Sequence, residues 1–247
     1  MTSSATTASD YTVPLVGGQA HFLLRRLHSL TGIIFGGYLI VHLLVNATIA
    51  QGFDARNVAS YQVQVDKIHS LPFLPLIEWT LIYLPILYHS IYGVWITLTG
   101  QPNVANYPYA KNWFYFFQRL SGIYIFLFML FHVLSFKYGL FGDRLAFDPH
   151  GNAMRSVAEH MNVSFLITWI VYPLGVLASC YHLANGIWTA AITWGLTVSA
   201  GAQRRWGYVC GALFVLTLIA GMTALIAAAA LDPASIPPPA RSAVAQH

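Results

Sequence analysis

Charge is scarce in this sequence. Asp, Glu, Lys and Arg together make up 8% of its 247 residues, against about 25% in soluble domains. That deficit excludes an ordinary water-soluble globule. Cysteine is scarce as well. Cys180 and Cys210 are the two present, and both fall in apolar runs. They exclude a disulfide framework and a cysteine zinc site, and they read as small buried hydrophobes. Basic runs are missing. The formal net charge is +4, but Lys and Arg stand singly or in pairs at the ends of apolar runs, so nucleic acid is not an expected partner. Acids are nearly missing from the apolar runs; Glu78 alone approaches one, near its end.

What the chain has instead is apolar length. Its residues are 57% hydrophobic and 15% aromatic. Five segments supply the roughly 20 apolar residues that a membrane span needs: about 22–50, 74–99, 113–138, 163–194 and 206–231. Pro85 and Pro173 fall inside spans, where membrane helices tolerate them. The first segment is longer than the roughly 7–15 residues of a signal-peptide core, and its charges come late, so it reads as a retained helix. The Pro237-Pro238-Pro239 run cannot continue a helix. The expected organisation is an N-terminal tail at 1–21, an all-α integral membrane domain at 22–231 with five transmembrane helices, and a C-terminal tail at 232–247. Lys and Arg divide evenly between the two sides, so their count does not orient the chain. Those on the N-terminal side, such as Arg25, Arg26, Arg204 and Arg205, lie close to helix ends and almost free of acids, which leans towards a cytoplasmic N-terminus.

Four histidines stand inside these spans: His42, His89, His132 and His182, one in each of the first four. An ionisable side chain in a bilayer core is costly and marks a functional site by default. Four of them, one per helix, point to two bis-histidine haem sites. A proton or ion relay is the alternative, but the mid-span acids usual in such relays are missing. Depth suggests the pairing. Odd-numbered spans run away from the N-terminal side and even-numbered spans return. His42 and His132 both fall in the far halves of their spans, whereas His89 and His182 fall nearer the N-terminal side. At about 1.5 Å per residue the two levels should lie on the order of 10–15 Å apart. Gly32, Gly36, Gly37, Gly93, Gly122, Gly175 and Gly186 could make room for a porphyrin or simply permit close helix packing. His28 is expected at the membrane surface, where it could hold haem propionates together with Arg26 and Ser29. His21, His69, His150, His160 and His247 read as surface or loop residues.

The residues carry a family resemblance. The stretches are Arg25-Arg26-Leu27-His28-Ser29-Leu30-Thr31-Gly32, His42-Leu43-Leu44-Val45-Asn46, Ser70-Leu71-Pro72-Phe73, Leu84-Pro85-Ile86-Leu87-Tyr88-His89, Gln118-Arg119-Leu120-Ser121-Gly122, and His182-Leu183-Ala184-Asn185-Gly186-Ile187-Trp188. Over about residues 22–208 the chain resembles the single-subunit, five-helix, dihaem cytochrome b membrane anchors of succinate:quinone oxidoreductases. The resemblance implies four helices bundled around two stacked b haems, with the fifth peripheral. It implies that His42, His89, His132 and His182 are the axial ligands. It also implies a cytoplasmic N-terminus in the inner membrane, so that His89 and His182 hold the proximal haem and His42 and His132 the distal one. The implied partners are a flavoprotein subunit, which oxidises succinate or reduces fumarate, an iron–sulfur subunit, membrane lipid, and a quinone, with menaquinone expected. Some fumarate reductases of the family carry a proton-transferring glutamate two residues before the fourth ligand. Here that position is Cys180, so the resemblance does not extend to that route. Cytochromes b of the quinol:cytochrome c class are a rival, but they place two ligand histidines on each of two helices.

The quinone site has two candidate places. Arg26, Ser29 and Ser121 lie near the proximal level, and Glu78, His69 and Asp66 near the far end of the second span. The distal place is favoured, because a two-haem path is needed only if electrons leave at the far side. Glu78 is there as an acid able to deliver protons to a reduced quinone.

Overall fold

The computed structural model describes residues 18–53, 59–100, 104–106, 109–150 and 152–236. Most of both expected tails, 1–17 and 237–247, therefore lies outside the described residues, as does Arg56 in the first loop. Five helices are long and apolar enough to cross a membrane, covering Ala20–Gln51, Leu74–Thr99, Ala110–Phe136, Ile167–Thr193 and Ala200–Ala230. Helix is the form such segments take because lipid offers no partner to a backbone N–H or C=O. The elements are α1 (Gly18–Ala47), α2 (Ser60–His69), α3 (Leu74–Glu78), α4 (Leu84–Thr99), α5 (Ala110–Phe136), α6 (Ala153–Met161), α7 (Tyr172–Thr193) and α8 (Ala200–Ala230).

Pro85 and Pro173, in the interior of their spans, are accommodated in the same way. Trp79–Tyr83 and Ile167–Val171 form π turns, each immediately ahead of the helix whose second residue is Pro85 or Pro173. A proline ring clashes with the carbonyl four residues back and leaves it without a donor. A wider turn relieves the clash and lets the helix continue.

Two segments between spans, 60–69 and 153–161, fold into helices and cover the far end of the bundle. α6 buries Ala153, Met154, Val157, Ala158 and Met161, a spacing that puts all five on one face. That face packs with Ile49 after α1, Tyr61 and Val65 of α2, Tyr172 of α7 and Leu225 of α8. Gln62 of α2 holds the start of α6 from both sides. Its Oε1 accepts from the Ala153 N–H at 2.8 Å, and its Nε2 donates to the Pro149 carbonyl at 3.0 Å. The spanning helices, by contrast, turn large apolar side chains outward, such as Leu98 at 76% exposed.

On the N-terminal side, Arg119 of α5 is spent inside the bundle. Its guanidinium donates to the Ile96 and Thr97 carbonyls at 2.6 and 2.9 Å, satisfying the end of α4. Gly100 makes the approach possible, since a Cβ there would lie 1.8 Å from an Arg119 nitrogen. α8 packs along α1 and α7 and contributes no histidine to the bundle.

Met154 is 1% exposed at the centre of this cover. Met154→Ala should cost about 2–5 kcal/mol, read as a lower Tm in detergent by tryptophan fluorescence. Leu98→Ala on the lipid face should leave Tm nearly unchanged. An unaltered Tm for Met154→Ala would show that the α2–α6 cover does not contribute to stability.

Candidate functional site

The four span histidines meet as two pairs. His89 of α4 faces His182 of α7, with ring centres 6.1 Å apart and planes at 84°. His42 of α1 faces His132 of α5, at 5.9 Å and 84°. Tyr172, which touches His132, precedes His182 on α7 by ten residues, so the two pairs stand about 15 Å apart in depth. Each pair joins two different helices, and the pairs occupy two levels of the bundle.

The ring nitrogens are partly assigned by their neighbours. His89 Nδ1 donates to the His28 carbonyl at 3.0 Å. His182 Nδ1 donates to the Gln118 carbonyl at 3.1 Å and lies 3.2 Å from Ser121 Oγ. A carbonyl can only accept, so in both rings Nδ1 carries the proton and Nε2 keeps its lone pair. In the second pair the Nδ1 neighbours are phenols: Tyr38 at 3.4 Å from His42, and Tyr172 at 3.2 Å from His132.

Two imidazoles bound at about 2 Å to opposite sides of one metal ion place their ring centres roughly 6 Å apart. Both pairs fit that spacing. Among the described residues, no group of three or more His, Cys, Asp or Glu side chains could hold a metal ion. Each pair therefore offers no more than two imidazole nitrogens, a donor set that a group bringing its own four nitrogens would match.

Two glycines seat rings of the first pair. A Cβ at Gly32 would lie 2.6 Å from His89 Cε1, and one at Gly122 would lie 3.1 Å from His182 Cε1. Gly36, Gly93 and Gly175 admit Leu183, His28 and Phe128 instead, while nothing lies within 4 Å of a Cβ at Gly37.

No family model matches the sequence. The chain is 37% identical, over 214 residues, to the succinate dehydrogenase cytochrome b558 subunit of Bacillus subtilis (strain 168); the match covers 86% of this chain and 99% of that protein. The chain belongs to this cytochrome b subunit family. It is a multi-pass membrane protein, as the five apolar helices and the relative together indicate.

The remaining candidates of this cytochrome b subunit fall in three places. His28 is not at the edge of the bundle. α1 begins at Gly18, three turns before it, so its ring reaches His89 and stacks on it at 4.0 Å and 9°. His28 Nδ1 and the Tyr92 hydroxyl are buried and have no hydrogen-bond partner among the described residues. Arg26 lies between Phe22 and Trp194, 4.8 Å over each ring, and Ser29 Oγ accepts from Trp194 Nε1 at 3.0 Å. At the far end, Glu78 pairs with Lys137 at 3.2 Å, and Lys137 also bonds the Tyr83 hydroxyl. His69 faces His150 at 5.2 Å, and Asp66 accepts from Gln62. Cys180, two residues before His182, packs with Leu43 and Ala220 in the seam between α7, α1 and α8.

His160, read from the sequence as a surface residue, is fully buried in α6. Its Nδ1 bonds the Leu145 carbonyl at 3.0 Å and its Nε2 lies 2.8 Å from the Tyr172 hydroxyl. Burial pushes its pKa down to about 4, partly opposed by the Leu145 bond. Tyr38, Tyr92 and Tyr172 also went unselected in the sequence. Tyr38 precedes His42 by four residues and Tyr92 follows His89 by three, spacings at which helical neighbours touch.

Proposed function

We propose that the chain holds two b-type haems, one between each histidine pair, and joins a succinate-oxidising partner to quinone. The carrying observation is the pair geometry: ring centres at 6.1 and 5.9 Å from four different helices. The cytochrome b name of the Bacillus subtilis relative adds support. A haem held by two imidazoles carries single electrons.

The residues of this chain would bind, orient and exclude water. His89 and His182 would ligate the proximal haem; His42 and His132 the distal one. The His28 and Gln118 carbonyls keep the proximal imidazoles in the ligating tautomer. His28 Nδ1 and the Tyr92 hydroxyl, without a partner among the described residues, would donate to haem propionates, with Arg26 and Ser29 close by. The N-terminus would be cytoplasmic in the inner membrane. The iron–sulfur subunit would then dock against Lys111, Arg204 and Arg205, with the flavoprotein beyond it. Arg119 is already committed to the end of α4. Quinone, with menaquinone expected, would bind at the far end, where Glu78, Lys137 and Tyr83 gather a carboxylate, an ammonium and a phenol. Glu78 would deliver a proton to the reduced quinone.

Pyridine haemochrome analysis should return two haems per chain. His42→Ala and His132→Ala should remove one spectral component, and His89→Ala and His182→Ala the other. Loss of the same component in His42→Ala and His89→Ala would defeat the pairing.

Gly32→Ala should disturb or abolish the component lost in His89→Ala, because its methyl meets that ring. Gly37→Ala should leave both components intact. Equal spectra for the two variants would remove Gly32 from the site.

Glu78→Gln should keep both haems and their reduction by succinate, yet slow quinone reduction at least tenfold. An unchanged quinone reductase rate would take Glu78 out of the reaction.

A further inference from the structure

The four histidine Nδ1 atoms do not have equivalent partners. His89 and His182 bond backbone carbonyls. His42 lies 3.4 Å from Tyr38, a long contact to a hydroxyl. His132 alone opens a chain of side chains that leaves the membrane span: His132 to Tyr172 at 3.2 Å, Tyr172 to His160 at 2.8 Å, and His160 to the Leu145 carbonyl at 3.0 Å.

The direction of that chain is set from its far end. The Leu145 carbonyl only accepts, so His160 Nδ1 carries a proton. Burial favours the neutral imidazole, which leaves Nε2 with a lone pair alone. Tyr172 has one proton, and it goes to His160 Nε2. Its oxygen therefore turns lone pairs towards His132, and His132 Nδ1 donates. The remaining nitrogen of His132, Nε2, is left free to ligate. The chain is also held rigidly. The His160 ring stacks on Phe136 at 3.9 Å and 17° and is fully buried, and α6 is clamped by Gln62.

We propose that Tyr172 and His160 are positioning residues for His132: they fix its tautomer and ring plane and set the reduction potential of the haem it holds. This rests on the two-haem reading above. An acceptor at Nδ1 makes an imidazole a stronger electron donor, which stabilises the oxidised iron. Removing the acceptor should therefore shift that haem towards its reduced form.

The test is redox titration of the purified, intact complex, following the two haem components separately. The distal component is the one lost in His132→Ala. In Tyr172→Phe, with both haems retained, the reduced-to-oxidised ratio of that component should rise at least threefold at its unmodified midpoint. The other component should not move. His160→Leu should shift the ratio in the same direction by less. His160→Gln, whose side-chain oxygen can accept from Tyr172, should return it towards the unmodified value. An unmoved midpoint in Tyr172→Phe, or equal shifts in both components, overturns the proposal. If Tyr172→Phe fails to take up the haem, the His160 variants decide: a defect in His160→Leu repaired in His160→Gln supports the chain, and equal behaviour of the two overturns it. Fewer than two haems in the unmodified complex would overturn the ligand assignment itself.

Discussion

A polar group inside hydrocarbon has to find its partner within the protein. The arrangement of this chain follows from applying that rule to histidine. Each span imidazole has two nitrogens to satisfy, and the bundle answers for one of them with a carbonyl or a phenol. That neighbour has to be at hand wherever a ring is placed, and so the helices are drawn together there. Gln118 shows how far this goes. Its carbonyl takes the His182 proton, while its side chain bonds the His182 carbonyl and Asn185. One residue thus fastens α5 to α7 through the ring, the backbone and a neighbouring amide. Elsewhere the spans bury residues mainly on α7 and α8, such as Cys180, Leu183 and Leu225, and the larger buried apolar cluster gathers at the α2–α6 cover.

Much of this was legible in the residues. Five spans follow from apolar length, and depth along alternating helices puts His42 level with His132 and His89 level with His182. Tyr38 and Tyr92 were within reach too, being one helical turn from a histidine. The rest depended on contacts between distant parts of the chain. Nothing near Tyr172 in sequence announces that His160, twelve residues earlier in a polar loop, turns back to meet it. The face of α6 that buries it is periodic, but at nine residues the segment is too short for that period to stand out from a polar loop. Nor does the sequence announce the role of Arg119, because a side chain that caps a different helix looks the same in sequence as one that meets solvent.

The glycines illustrate a related limit. Gly32, Gly36 and Gly37 sit in one apolar run and look interchangeable. Their neighbours are an imidazole, a leucine and open space, respectively. Which of them matters is a property of the opposing helix, α4 or α7, and the sequence of α1 alone does not contain it.

The π turns ahead of Pro85 and Pro173 also govern which way the later residues point. A widened turn acts as one residue inserted into the helical count, and one residue is roughly 100° of rotation. Everything beyond Trp79–Tyr83 is therefore turned relative to an uninterrupted helix, and the same holds beyond Ile167–Val171. His89 and His182 both lie beyond such a turn; His42 and His132 lie on helices without one. The two prolines thus act as rotational offsets. A deletion of one residue that straightened either turn would leave the span as apolar and nearly as long as before, but would swing its histidine away from its partner and towards lipid.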